Sequence, residues 1–411
     1  MKKMLALLLA LVMVFALVAC GAKTETTETT ETTETVETTE ETAAAFKIGG
    51  VGPLTGGAAI YGNAAANGAK IAVDEINALE GEIKFELNYQ DDAHDAEKSV
   101  NAYNTLKDWG MQIFLGSVTS APGVATSVEA NADNMFYLTP SASSTDVLGG
   151  VEDPLTGAVN TPRKNNVFQL CFMDPNQGSA SAQYISDKAL GENIAVIYKN
   201  DDVYSVGIYN SFAAKAEELG LNIVAEQTFT TDSQTDFSVQ VAACKDAGAD
   251  LVFLPMYYDA ASLILTEANK TGYAPTFFGV DGMDGILTVE GFDTALAEGV
   301  ILLTPFSPDA QDDSTVNFVT KYQEAYGEIP NQFAADAYDC VYAIAAALEA
   351  SGATVDMTAS ELCDLLVATF TGGEFSYDGL TGAGMTWDET GAVTKAPKGV
   401  VIENGVYVGL D

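Results

Sequence analysis

Three short loops carry the residues best suited to chemistry. "GSVTSAPG", Gly116 to Gly123, places Ser120 just before Ala-Pro, which reads as a helix start with Ser120 as N-cap and Pro122 in the first turn. Free amides at such an end, together with the helix dipole, form an anion site that suits a carboxylate. "TPSASSTD", Thr139 to Asp146, repeats the design with Ser141, Ser143 and Ser144. Serine-rich turns are also ordinary caps, and both readings stay open from the residues alone. In "GVDG" a single acid, Asp281, follows an apolar run, where it either pairs with an ammonium group or satisfies a turn.

What the chain lacks sharpens this. Its only arginine, Arg163, lies in a linker-like stretch beside Pro162 and Lys164, so a carboxylate held by these loops must rest on neutral donors. The only histidine, His94, sits in the acidic stretch "DDAHDAEK" and reads as a surface residue. No Gly-x-Ser-x-Gly elbow accompanies it, no G-x-G-x-x-G follows the first strand, and no cysteine has metal-ligand spacing. The expectation is a binding protein, not an enzyme, with no metal and no cofactor. Cys171, Cys244, Cys340 and Cys363 read as buried free thiols, with disulfides permitted but not signalled.

These loops fall at the ends of apolar runs that alternate with helix-length amphipathic segments. "FKIGGVGPL", "IKFELNYQD", "QIFLGS", "MFYLT", "VFQLCF", "NIAVIYKND", "NIVAEQTF", "DLVFLPMYY", "TFFGVDG" and "GVILLTP" read as strands. Helices are expected over Tyr61 to Ala78, "AEKSVNAYNTLKDWG", after "TSAPGVATS", over "GIYNSFAAKAEELG" and "DAASLILTEANKTG", and around Phe318 to Tyr326 and Gln332 to Ala350. Such alternation predicts an α/β fold of doubly wound parallel sheets. The chain is too long for one sheet, and the Gly/Pro/Ser-rich loop from Ser141 to Asn166 reads as the border between two lobes. Near the C-terminus, "GMTWDETGAVTK" and "KGVVIENGVYVGL" predict hairpins. Open parallel sheets bind ligands beyond the carboxyl ends of their strands, where the serine loops and Asp281 fall.

The N-terminus sets the location. Lys2 and Lys3 precede an apolar run from Met4 to Ala19, too short to span a bilayer, so residues 1–19 read as a signal peptide. Leu17-Val18-Ala19-Cys20 resembles a bacterial lipobox, which implies cleavage before Cys20, lipid on its thiol and anchoring to the outer face of the cell membrane. The Thr/Glu repeat that follows, within residues 20–45, has no apolar face and predicts a disordered stalk whose threonines permit O-glycosylation. Leaving out Lys2, Lys3, Lys23 and the seven stalk glutamates takes the chain's −40 to −36 for the body. A body so acidic repels phosphate backbones and anionic lipid, which argues against nucleic-acid binding.

Blocks through the body resemble the leucine/isoleucine/valine-binding proteins, extracytoplasmic receptors of ABC importers with the type I periplasmic-binding fold. They include "KIGGVGPLTGGAAIYGNAAANGAKIAVDEINA", "LGSVTSAPGVATS", "FYLTPSAS", "PNQGSASAQYI", "NDDVYSVG", "FFGVDG" and "FAADAYDCVYAIAAAL", in collinear order. The resemblance implies two lobes joined by a hinge, lobe 1 over 46–165 plus 304–378 and lobe 2 over 166–303 plus 379–411. It implies an α-carboxylate held by Ser120, Ser141, Ala142 and Ser143, and an α-ammonium held by Asp281, where the family acid is often glutamate. It also implies pocket aromatics at Tyr61, Tyr204 and Tyr257 and side-chain contacts at Val118 and Phe333. His94 and Thr119 stand where some relatives carry a disulfide. The implied partners are a small amino-acid ligand and membrane permease subunits, with the chain acting as a monomer. A ligand-sensing receptor, or a ligand that is an aromatic acid, an amide or another amino acid, would use the same lobes.

Overall fold

The computed structural model describes residues 44–153 and 155–410. The expected signal peptide, Cys20 and the Thr/Glu stalk up to residue 43 lie outside the described residues. Two sheets organise the rest. The first contains β1 (Phe46–Gly52), β2 (Phe85–Asp91), β3 (Ile113–Leu115), β4 (Tyr137–Thr139) and β5 (Val167–Gln169), in the order β2-β1-β3-β4-β5 with every pairing parallel. β1 is buried along almost its whole length, as expected of a strand covered on both faces, whereas β2 at the edge is half-exposed.

Four helices follow the strands of this sheet: α1 (Ala59–Ala78), α2 (Ala96–Trp109), α3 (Ser120–Ala132) and the short α4 (Thr145–Leu148). Their ends are written in the sequence. Asp95 caps α2 by accepting the Lys98 amide at 2.9 Å, and Gly110, at φ 91°, ends it in a conformation that disfavours a side chain.

The second sheet contains β6 (Ile194–Lys199), β7 (Ile223–Phe229), β8 (Leu251–Leu254), β9 (Thr276–Gly279), β10 (Ile301–Thr304), β11 (Lys398–Glu403) and β12 (Val406–Gly409). Its order is β12-β11-β10-β9-β8-β6-β7, parallel except for the last two strands in the chain. Its helices are α5 (Asp174–Lys188), α6 (Val203–Leu219), α7 (Ser238–Asp246) and α8 (Tyr258–Thr271). The three remaining helices are α9 (Asp313–Tyr326), α10 (Gln332–Ser351) and α11 (Ala359–Thr371). α10 returns to the first lobe and lies against α1 so closely that a methyl group on Gly68 would sit 2.0 Å from the Ala334 carbonyl oxygen.

Sheet membership moves the expected lobe borders. The strand at 167–169 pairs with β4, so residues 141–166 connect two strands of one sheet and hold α4. The change of sheet follows Gln169. The long polar loop signalled irregular backbone, which the sequence does not distinguish from a domain border, and three residues of strand carry no mark of their sheet. Residues 379–394 also stay with the first lobe. Trp387 Nε1 donates to Gln169 O at 2.8 Å, the Gln169 amide donates to Gly391 O at 3.0 Å, and Asp339 of α10 accepts the Leu380 and Thr381 amides at 2.9 Å. The first expected hairpin amounts to two isolated bridges, Tyr377 with Met385 and Trp387 with Val393. The second forms β11 and β12 about Asn404 and Gly405, both at positive φ, as a tight hairpin turn requires. The apolar periodicity of the sequence does not single out α5, α7 or α11. The described chain therefore passes between lobes after Gln169, after Thr304 and before Lys398.

Candidate functional site

A cavity lies between the lobes at the carboxyl ends of the strands, as the open-sheet rule requires. It is lined by Tyr61, Val118, Thr119, Ser120, Ser141, Phe333, Tyr204, Tyr257, Asp281 and Gly282.

The first lobe supplies hydroxyls. Thr119, not Ser120, is the residue that precedes α3, and Ser120 is the first helical residue. The correction is one position and follows from Thr119 keeping extended backbone while its hydroxyl lies 2.9 Å from His94 Nδ1. Ser120 Oγ accepts the Ser144 amide at 3.2 Å, which leaves its own proton to donate into the cavity. After β4, the Ser141 and Ala142 amides both donate to Thr139 Oγ1, at 3.2 and 2.9 Å. Ser141 reaches the cavity wall. Ala142 and Ser143 lie behind it, and the Ala142 carbonyl accepts Gln169 Nε2 at 2.6 Å.

The second lobe supplies the acid. Asp281 is 3% exposed and follows β9. Its Oδ1 accepts the Tyr204 hydroxyl, its Oδ2 accepts Gln177 Nε2 at 3.1 Å, and its carbonyl oxygen accepts Gln332 Nε2 from α10 at 2.9 Å. Burial pushes the Asp281 carboxyl up to about 7, against the opposing pull of Tyr204 and Gln177, and Asp336 adds to the rise. Tyr204 is set by Asp202, which caps α6 and accepts the Tyr204 amide at 3.2 Å.

Aromatic rings close the space between these poles. Tyr204 and Tyr257 stack at 4.7 Å and 7°, and Tyr61 packs 4.4 Å from Phe333 and 5.6 Å from Tyr257. Tyr61 also joins the lobes. Its hydroxyl donates to Gly282 O and accepts the Tyr258 amide at 3.2 Å, while the Tyr258 hydroxyl returns to Gly57 O at 2.6 Å. With Gln332 on Asp281, these bonds hold the cleft closed.

His94 is not a surface residue. It is half-buried at the mouth of the cleft, edge-on to Tyr257 at 5.4 Å, and burial takes its imidazole down to about 4, so it is neutral at physiological pH. The acidic loop around it hid this. Arg163 stands away from the cavity and binds main-chain oxygens of Leu148, Lys164, Val167 and Glu389. Cys171, Cys244, Cys340 and Cys363 are buried and free. Sequence reasoning missed Gln177, Tyr258 and Gln332, and it missed Asp174, a buried acid at the start of α5. Three of them fall inside expected stretches that mark no role for them: Gln177 in the "PNQG" block, Tyr258 at the end of "DLVFLPMYY" and Gln332 at a helix start.

Comparison with known proteins agrees with this architecture. A family model described as periplasmic binding protein matches residues 45–401. The Leu/Ile/Val-binding protein homolog 3 of Brucella melitensis is 27% identical over 322 residues, covering 77% of this chain and 82% of that protein. The leucine-, isoleucine-, valine-, threonine- and alanine-binding protein of Pseudomonas aeruginosa is 25% identical over 75% of this chain and 79% of its own length. Among solved structures, the branched-chain amino acid transporter substrate-binding protein of Streptococcus pneumoniae, in complex with isoleucine, has 26% identity and a TM-score of 0.76, covering 89% of this chain and 99% of that one. These relatives are solute-binding proteins. With two parallel-sheet lobes around a cleft and a match over nearly the whole body, the chain belongs to the periplasmic binding protein family.

Proposed function

We propose that this protein is the extracytoplasmic substrate-binding component of an ABC importer, that it takes a neutral amino acid of the branched-chain class between its lobes, and that it delivers the ligand to a membrane permease. The reading is carried by the polarity of the cavity, with uncharged hydroxyls of Ser120 and Ser141 on one lobe and Asp281 on the other. A zwitterion fits that polarity, its carboxylate on the serines and its ammonium at Asp281. Ala142 and Ser143 support the serine loop, and Val118, Phe333, Tyr61, Tyr204 and Tyr257 enclose an aliphatic side chain. Charge-assisted hydrogen bonds contribute roughly 1.5 to 3 kcal/mol each. Four or five, less the cost of ordering ligand and lobes, leave submicromolar affinity within reach.

Because the two poles belong to different lobes, only the closed form satisfies both ends of the ligand, and closure is what a permease recognises. The protein works as a monomer tethered by lipid on Cys20. Calorimetric titration with each of the twenty amino acids tests the reading. Leucine, isoleucine or valine is expected to bind, and failure of every amino acid to bind overturns it.

A further inference from the structure

Two buried acids stand close together in the second lobe, and their surroundings differ. Asp281 has a donor on each oxygen, Tyr204 and Gln177. Asp174, the first residue of α5, is 1% exposed, and neither of its carboxyl oxygens has a hydrogen-bond partner. Its amide donates to Ser143 O at 3.0 Å, which pins it to the serine loop of the first lobe. Its carboxyl group lies against α6, where a methyl group on Gly207 would sit 2.7 Å from Oδ2. The hydroxyl that faces it, on Ser143, is also buried and unpartnered. None of the ion pairs found among the described residues includes either acid. An ionised carboxylate enclosed with three acids nearby, no cation and at most one facing hydroxyl is disfavoured, whereas the neutral acid fits this place.

We propose that Asp174 is a positioning residue that enters the closed cleft protonated, its acid proton bridging α5 to the Ser143 loop, so that closure over a zwitterionic ligand takes up one proton. The proton comes from solvent and forms an O–H bond on the Asp174 carboxyl group; no bond in the ligand breaks. At pH 8 Asp281 is charged for the ligand ammonium, because its two donors hold the upward shift from burial to about 7. When the lobes part, Ser143 withdraws and water reaches Asp174, which then ionises. The groups facing Asp174 do not supply a competing cation: they are Ser143, Asp281, Asp202 at the start of α6 and Asp146 in α4, with Cys171 and Tyr257 close by. Burial pushes the Asp174 carboxyl well above the usual carboxylate range, the Ser143 hydroxyl opposes this, and the three neighbouring acids push the same way.

The inference rests on the amino-acid reading above, and one experiment separates the two. Isoleucine, leucine and valine, then the remaining amino acids, are titrated calorimetrically into the full mature protein at pH 8 in two buffers of different ionisation enthalpy. The expected result is uptake of about one proton per ligand bound, with the Kd rising toward roughly tenfold per pH unit between pH 7 and 8.5. Asp174→Asn, a permanently neutral isostere, is expected to bind at pH 8 at least as tightly as wild type and to take up no proton. Binding by wild type without proton uptake, or uptake unchanged in Asp174→Asn, overturns the role of Asp174 and leaves the amino-acid reading standing. Should Asp174→Asn fail to fold, Asp174→Ser, smaller and equally neutral, is measured in its place: proton uptake kept overturns the role of Asp174, and uptake lost supports it. If no amino acid binds, both readings fall.

Discussion

The Tyr204 hydroxyl donates to Asp281 Oδ1 while accepting the Gly282 amide at 2.9 Å, so the acid of the cleft is held in place from within its own lobe before any ligand arrives. A preset acid loses little freedom when an ammonium group docks on it. Asp281→Ala is therefore expected to weaken amino-acid binding at least tenfold. Tyr204→Phe removes one donor from a buried carboxyl group, a change that costs about 1–3 kcal/mol, and should weaken binding by about tenfold. Calorimetry on folded variants measures both, and unchanged affinity in Asp281→Ala rules out the ammonium contact.

Tyr61 tests closure separately from recognition. Its hydroxyl bonds Gly282 O and the Tyr258 amide across the cleft, and Tyr61→Phe removes both bonds while keeping the ring against Phe333. With the preferred amino acid bound, small-angle scattering should give a larger radius of gyration for the variant than for wild type, and affinity should fall several-fold with the order of preferred ligands unchanged. Identical scattering curves would show that these bonds do not hold the lobes together.

Lys395 stands next to the third passage between lobes. Its Nζ lies 2.7 Å from Asp336 Oδ1 and 2.6 Å from Thr381 Oγ1, with the side chains of Lys395 and Asp336 0% and 2% exposed. Lys395→Met leaves Asp336 charged and enclosed, with Asp339 beside Thr381. Breaking a buried pair in this way costs about 3–5 kcal/mol, to be read from urea unfolding. Loss of less than about 1 kcal/mol at pH 7 would mean that the pair is not formed.

Stability should fall as pH rises through neutrality. Burial lifts Asp339, Asp202 and Asp284 to about 6 and Asp92 and Asp281 to about 7. Each of these values lies above the roughly 3.9 of an unfolded aspartate. The stabilisation from a raised group is complete below its unfolded value and is lost as pH climbs through its folded value. The ligand-free protein is expected to melt about 5 °C or more higher at pH 5 than at pH 8 by scanning calorimetry. A higher midpoint at pH 8 would contradict the burial of these acids.

The anchor is testable in cells. Radiolabelled palmitate should enter the wild-type protein and be absent from Cys20→Ala, which should appear in the soluble fraction. Equal labelling of the two removes the lipid from the proposal.

Particular residues show what the sequence made legible. Ser120, Ser141 and Asp281 were found because parallel sheets place their loops at one end, and each lines the cavity. Asp174 was not, because "DPNQG" reads as an ordinary helix start, and its lack of donors depends on Ser143 and Gly207, distant in sequence. His94 reads as a surface residue for the same reason, since its neighbours in the chain are acids while its neighbours in space are Thr119 and Tyr257. The lobe border went wrong at 141–166 because backbone hydrogen bonding, not composition, assigns β5 to a sheet.

The three passages between lobes have a consequence for biosynthesis. α9, α10 and α11 are made after all of β1 to β10, yet α10 covers the side of the first sheet against which α1 lies. While the ribosome works through the second lobe, the earlier strands wait with an oily flank uncovered, and a chain threaded outward for export meets the same delay. Neither lobe is a continuous stretch that a protease could release whole or a truncated gene could encode, and neither is complete until the residues up to β12 have been made.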